Sequence, residues 1–209
     1  MLQVVQYQKD GRLEVAELPA PQCPAGGVLI QTRFSLISAG TERTSVENTQ
    51  SSLLSRARKQ PEQVRQVLNM VKRDGLRTTI GKVLNKLDSY KSLGYSVSGV
   101  VVESDVEEFA HGDKVAAAGA GYAVHAEFVA VPKNLVVRIP EGVSFEDAAY
   151  TTLGAIAMQG FRQAEPVLGE TVAVVGLGLL GQLTVQLLKS AGCRVVGMDI
   201  NPDTFDYAK

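Results

Sequence analysis

Three glycines at fixed spacing carry the first chemistry in this chain, in Val175-Gly176-Leu177-Gly178-Leu179-Leu180-Gly181. A glycine at 176 permits a tight turn, one at 178 lets backbone approach a bound group, and one at 181 lets a helix pack closely on a sheet. Amides at the amino end of a helix carry partial positive charge, so the group such a loop receives is a phosphate, here the pyrophosphate of a dinucleotide. Asp199 stands 18 residues beyond Gly181. A carboxylate there accepts hydrogen bonds from an adenosine ribose and repels a 2′-phosphate, which favours NAD over NADP. Gly176, Leu177, Gly178, Leu179, Leu180, Gly181, Asp199 and Asn201 are therefore the candidate cofactor-binding residues. The bland alternative is a ligand-free strand-to-helix turn followed by an ordinary strand-end carboxylate.

The motif has chemistry only if a strand leads into it and a helix leaves it. Thr171–Val175 reads as the strand, Leu179–Ala191 as the helix and Arg194–Asp199 as the next strand. The uncharged run Thr171–Leu188, bounded by Glu170 and Lys189, contains three glycines and two glutamines. It reads as a buried strand entering a helix, not as a membrane span. Ser144 with Asp147 resembles a capped start for a helix through Gln163, whose alanines Ala148, Ala149, Ala155 and Ala157 suit close packing.

Other reactive side chains are few. His125 sits before the strand Ala126–Val131 and reads as a structural histidine at a strand edge, with a catalytic role as its rival. His111, in Ala110-His111-Gly112-Asp113, reads as a turn residue, and Cys193 as core. Cys23 and Cys193 are the two cysteines among 209 residues, too few for a four-thiolate zinc site or a disulfide framework. Apolar residues make up 45% and charged ones 21%, which excludes wholesale disorder. The net charge of −1 argues against nucleic acid as a partner. The amino terminus lacks a signal peptide's basic start and apolar stretch, so a cytoplasmic protein is expected.

From Met1 to about Ser38 the pattern is β-like: a hairpin around Asp10-Gly11 with Leu13 and Val15 alternating with Arg12, Glu14 and Ala16, then a strand from Val28. Val97–Glu103, Ala126–Val131 and Leu135–Ile139 add strands, together suggesting a compact barrel. Residues 51–92 interrupt it. Val64, Val67, Leu68 and Val71, then Ile80, Val83, Leu84 and Leu87, repeat at helical spacing, so two amphipathic helices meet near Gly75. This insertion holds ten basic residues (Arg56, Arg58, Lys59, Arg65, Lys72, Arg73, Arg77, Lys82, Lys86, Lys91) against three acidic ones, a local balance of +7 that leaves −8 elsewhere. A solvated helix face is the ordinary account; a docking surface for an anionic partner is the functional one.

Beyond the glycine fingerprint, Ala39-Gly40-Thr41-Glu42, Leu93-Gly94-Tyr95-Ser96-Val97-Ser98-Gly99, Gly112-Asp113-Lys114-Val115 and Gly121–Phe128 resemble the medium-chain dehydrogenase/reductase superfamily, the relatives of zinc-type alcohol dehydrogenases. The insertion and Ser35–Glu47 more closely resemble bacterial bi-domain oxidoreductases, in which such a module is fused to a glucose-fructose-oxidoreductase-like domain. The resemblance implies an α/β plus β fold: a GroES-like β-barrel catalytic domain over residues 1–143, with the helical insertion 51–92, then an incomplete Rossmann domain over 144–209. It also implies an NAD(P)-dependent oxidoreductase that moves hydride between nicotinamide and an alcohol or carbonyl carbon, of a sugar-derived substrate by analogy with the fused family.

Two departures bear on the metal. Ala39 stands where the superfamily's zinc segment has cysteine, and Gly94-Tyr95-Ser96 replaces its Gly-His-Glu, so a zinc of the usual kind is not expected. Hydrogen-bond donors must then stabilise the developing alkoxide. Thr41 matches the family's relay hydroxyl and Tyr95 occupies the lost histidine's position; these are the candidate catalytic residues. Thr41 capping a turn and Tyr95 packing in the core are their rivals. A zinc set of Glu42, His125 and Glu127 is a lower alternative. Because the fingerprint lies close to Lys209, only the first mononucleotide half is expected, and the isolated chain should bind coenzyme poorly. A fused carboxy-terminal domain and a homo-oligomer are the expected protein partners. The competing functional reading is a non-catalytic docking or dinucleotide-binding module that uses the basic helices.

Overall fold

The computed structural model describes residues 1–50 and 61–208. Strands β1 (Leu2–Tyr7) and β2 (Leu13–Glu17) form the expected antiparallel hairpin, closed where Gly11 adopts a positive φ of 76°. β3 (Gly27–Ser35) follows. A helix not foreseen from sequence, α1 (Ala39–Gln50), comes next, and then α2 (Pro61–Asp74) and α3 (Leu76–Leu87). The last two meet at Gly75, as the spacing predicts, because its φ of 83° breaks the helix. Asp74 reinforces the corner, 2.8 Å from Arg73 and 2.7 Å from Lys82. Arg56, Arg58 and Lys59 lie outside the described residues, as do the side chains of Val67, Leu68, Val83, Leu84, Lys86 and Leu87.

The helical excursion is shorter than the sequence suggests. Tyr90–Ser92 form β4, paired antiparallel with β1, so these three residues belong to the sheet β2-β1-β4. The alternation of β2 holds, but Leu13 and Val15 are 49% and 65% exposed, so their face of the hairpin carries apolar surface into solvent instead of core.

Five strands form the main sheet, in the order β7-β3-β5-β6-β8: β5 (Ser96–Ser104), β6 (Lys114–Ala118), β7 (Phe128–Pro132) and β8 (Val136–Arg138) join β3, all antiparallel. Register shifts between Leu29 and Ile30 and between Thr32 and Phe34 bend β3 against β5 and curl the sheet. Inside the curl, Val28, Ile30, Val97, Val101, Val115 and Val131 are fully buried. β-branched residues stiffen the strands and fill this core.

Ser144 caps the next helix as predicted, accepting from the Asp147 amide at 3.0 Å. The single helix expected through Gln163 is instead two, α4 (Phe145–Ala148) and α5 (Thr151–Ala164). The sheet supplies the reason: the Ser96 hydroxyl donates to the Ala149 carbonyl at 2.6 Å and the Ser98 hydroxyl donates to that of Phe145. The Ala149 carbonyl is one a continuous helix would spend on the Leu153 amide, whereas the Phe145 carbonyl also accepts the Ala149 amide at 3.0 Å.

β9 (Thr171–Val175), α6 (Leu179–Ser190) and β10 (Arg194–Met198) form the predicted strand-helix-strand unit, with β10 parallel to β9 in register Val195↔Val172. Its own core gathers Val174, Leu177, Val185, Leu188 and Cys193. No helix among the described residues is long and apolar enough to cross a membrane.

Candidate functional site

The turn out of β9 is built as its glycines require. Gly176 has φ 92°, accessible to glycine at low cost, and its N–H donates to the Met198 carbonyl at 2.7 Å. A methyl group at 181 would come 2.9 Å from the Gly176 carbonyl carbon and nearer still to its oxygen, so α6 approaches the turn as closely as it does because residue 181 has no side chain. Gly178 is the residue preceding α6; no side chain caps the helix there, and a methyl group at 178 would meet nothing within 4 Å. The first amides of α6 have no capping side chain, and Leu179, Leu180 and Gly181 border a cleft beside the turn.

Asp199 closes the far side of the turn. Its Oδ2 accepts the Leu177 amide at 2.6 Å and its Oδ1 the Asn201 amide at 2.8 Å. These amide donors, Asn201 first and then Leu177, hold its carboxyl below the usual carboxylate range. Each oxygen keeps a further lone pair for a hydroxyl donor. The structure qualifies two of the candidate residues: Leu177 turns its side chain into the core and spends its amide on Asp199, and Asn201 caps the following turn by accepting from the Asp203 amide at 3.1 Å. Gln182, not singled out from sequence, braces the loop: its Nε2 donates to the carbonyls of Leu177, at 3.0 Å, and Thr204, at 2.8 Å. A glutamine one residue after a glycine motif carries no signal of its own, because both acceptors are backbone atoms.

A cleft of about 860 Å³ separates this loop from the amino end of α1. Gly176, Gly178 and Leu180 line one wall, Ser38, Thr41 and Thr44 the other, with Leu153 of α5 beneath. Thr41 is exposed there, its Oγ1 3.5 Å from Ser38 Oγ. Tyr95, by contrast, is half-buried between β4 and β5 and is not among the cleft's lining residues. The structure thus brings Thr41, but not Tyr95, to the glycine loop.

Beneath the α1 wall lies a buried polar chain. Glu42 accepts the Ser38 amide at 3.0 Å through Oε1, and its Oε2 lies 3.0 Å from His125 Nε2. His125 Nδ1 is 2.9 Å from Ser35 Oγ. His125 is a buried bridge between Glu42 and Ser35 whose backbone carbonyl also accepts the Val4 amide at 2.9 Å. Glu127 is turned away, accepting the Leu2 amide at 2.8 Å, so the set Glu42, His125 and Glu127 is not assembled. Among the described residues no three His, Cys, Asp or Glu side chains are grouped to hold a metal.

No protein-family model matches the chain. D-guloside 3-dehydrogenase of Shigella flexneri is 40% identical over 123 residues, covering 56% of this chain and 34% of that protein. Galactitol-1-phosphate dehydrogenase from Escherichia coli superposes over 100% of this chain with a TM-score of 0.71 at 19% identity, which covers 58% of its own length. The quinone oxidoreductase of Thermus thermophilus, whose complex with NADPH is known, matches 98% of this chain and 55% of its own at 25% identity and TM-score 0.63. The similar proteins are medium-chain, zinc-type alcohol dehydrogenase-like oxidoreductases. The likeness of fold includes the curled sheet and the mixed α/β content. The match spans about a third of the dehydrogenase relative, and the chain spans just over half of each solved neighbour.

Proposed function

We propose that this chain is the catalytic and first nucleotide-binding part of an NAD(P)-dependent oxidoreductase acting on the alcohol or carbonyl carbon of a sugar-derived substrate. The observation that carries the reading is the cleft: it sets a glycine turn with free helix amides against the amino end of a second helix that presents Thr41. The domain division expected from sequence, a GroES-like unit over 1–143 and the opening half of a Rossmann unit from 144, is part of this proposal. So is a fused further oxidoreductase domain.

The residues present fit a dinucleotide. Gly178 leaves room where any side chain would project into the cleft, and the uncapped start of α6 offers donors and partial positive charge to phosphate oxygens. When bound, a nicotinamide cofactor supplies the hydride donor or acceptor. Asp199 orients a ribose through its outward lone pairs and disfavours a 2′-phosphate, so NAD is the proposed partner, although the Thermus neighbour takes NADPH. Thr41 holds or relays the proton of the substrate hydroxyl, and Leu153 helps keep water from the floor of the cleft. Tyr95 takes second place as a donor, because its ring does not line the cleft.

The residues do not fit a zinc of the alcohol dehydrogenase kind. Ala39 has no ligating atom, Tyr95 replaces an imidazole, and Glu42 and His125 are spent on each other.

Calorimetric titration of NADH and NADPH into the protein extended through its natural reading frame tests the reading. Tighter binding of NADH, lost with Asp199→Ala, is expected. Absence of binding by either nucleotide would reduce the glycine turn to a structural device.

A further inference from the structure

His125 touches both segments that carry the candidate hydroxyls. Through Nε2 it meets Glu42, one residue after Thr41, and Glu42 in turn accepts the amide of Ser38 at the start of α1. On its other side the ring lies against Gly94, one residue before Tyr95. A methyl group at 94 would stand 2.9 Å from two ring carbons and 2.8 Å from the His125 nitrogen, so the approach exists because residue 94 is glycine, at φ 91°. The His125 amide also donates to the Leu93 carbonyl at 2.8 Å. The side chains of His125 and Glu42 are only 8% and 12% exposed.

A carboxylate and an imidazole this deeply buried persist only if each polar atom is satisfied. Because a carboxylate only accepts, Nε2–H donates to Glu42, which spends its other oxygen on the Ser38 amide, and Nδ1 shares a hydrogen bond with the Ser35 hydroxyl.

We infer that His125 is a positioning residue that fixes Ser38–Glu42 and Leu93–Tyr95 relative to each other. Through Glu42 it sets where the amino end of α1, and with it Thr41, stands in the cleft. Its catalytic consequence rests on the role proposed for Thr41; the coupling of the two segments does not.

The test compares Glu42→Ala with Glu42→Gln in the full-length protein, because the glutamine carbonyl can accept the Ser38 amide while its NH2 donates to His125 Nε2 once the ring proton sits on Nδ1 facing Ser35, which keeps both links without the charge. Amide hydrogen exchange is followed at Ser38 and Glu42, whose amides close the start of α1, and at His125, whose amide donates to the Leu93 carbonyl. Exchange should rise tenfold or more in both segments with alanine and return to within threefold of the unsubstituted protein with glutamine. A rise confined to the first segment, or a glutamine variant as fast as the alanine one, overturns the coupling. In a hydride-transfer assay alanine should lower kcat at least tenfold with the cofactor KM within threefold, and glutamine should recover kcat. Loss of cofactor KM with kcat intact would refute positioning of Thr41. Should Glu42→Ala not fold, nitrogen NMR of the unsubstituted protein decides. A protonated Nε2 on His125 supports the arrangement, and a bare Nε2 overturns it. A full-length protein that binds NADH yet oxidises or reduces nothing in a panel of sugars and alcohols would defeat the proposed function while the exchange result stood.

Discussion

Replacing Gly181 and Gly178 one at a time by alanine separates two jobs that lie three residues apart. At 181 the new methyl would stand 2.9 Å from the Gly176 carbonyl carbon, where ordinary contact begins at 3.4 Å, and closer still to the oxygen. Both neighbours are backbone, so no side chain can swing aside and α6 must lift from the turn. Overpacking of this kind costs about 1–3 kcal/mol. Alanine's better helix propensity returns about 0.5–1 kcal/mol. The net loss of about 0.5–2 kcal/mol corresponds to roughly 1–8 °C in Tm at about 2–4 °C per kcal/mol for a chain of this size. At 178 the backbone is extended and a methyl meets nothing within 4 Å, so stability should fall by less than about 1 kcal/mol, the cost of alanine as a helix cap. That methyl, however, projects where a pyrophosphate would lie. Thermal unfolding followed by circular dichroism, paired with NADH titration, should show Gly181→Ala losing stability and Gly178→Ala losing NADH affinity tenfold or more at near-normal Tm. A Gly181→Ala protein as stable as its parent would refute the packing argument. A Gly178→Ala protein with full NADH affinity would refute the loop as a phosphate cradle.

The Asp199 carboxyl titrates below its unfolded value, so its contribution to stability is present above about pH 4 and is lost as pH falls through the lower folded pKa. Asp199→Asn should therefore be less stable than its parent at pH 7, with the gap narrowing in urea titrations toward pH 3. Ser144→Ala removes the cap on Asp147 and should cost about 0.5–2 kcal/mol by chemical denaturation. Thr41→Val should lower kcat by about 10²-fold or more in a hydride-transfer assay, and Tyr95→Phe by less than tenfold, since Thr41 lines the cleft and Tyr95 does not.

What could be read from sequence was local. The strand, glycine turn, helix and strand from Thr171 to Met198 lie where period and turn chemistry put them, because each signal sits within a few residues of the structure it causes. The helix Ala39–Gln50 has no comparable signal: Ala39-Gly40-Thr41-Glu42-Arg43-Thr44 is polar, with no apolar stripe. Its start is fixed instead by Glu42 reaching back to Ser38 and across to His125, 83 residues away in the chain. Tyr90–Ser92 were hidden for a similar reason, since three residues become a strand only by pairing with β1. The break at Ala149 depends on Ser96, 53 residues earlier. In the site, the glycine turn was legible as a motif, whereas the cleft exists only once α1 is placed opposite it.

The excursion between β3 and β5 has a kinetic side. These two strands pair along most of their length, yet roughly 60 residues separate them, so their pairing is not local in the way that of β5 with β6 is. Closing a loop of that length costs about 3.6 kcal/mol of chain entropy in the simplest polymer estimate, about 2.4 kcal/mol more than a four-residue turn. The helices α2 and α3 can form early from nearby contacts and shorten the effective loop before the strands meet. Breaking that helical corner, for instance by Gly75→Val at its positive φ, should therefore slow refolding while leaving the finished cleft unchanged.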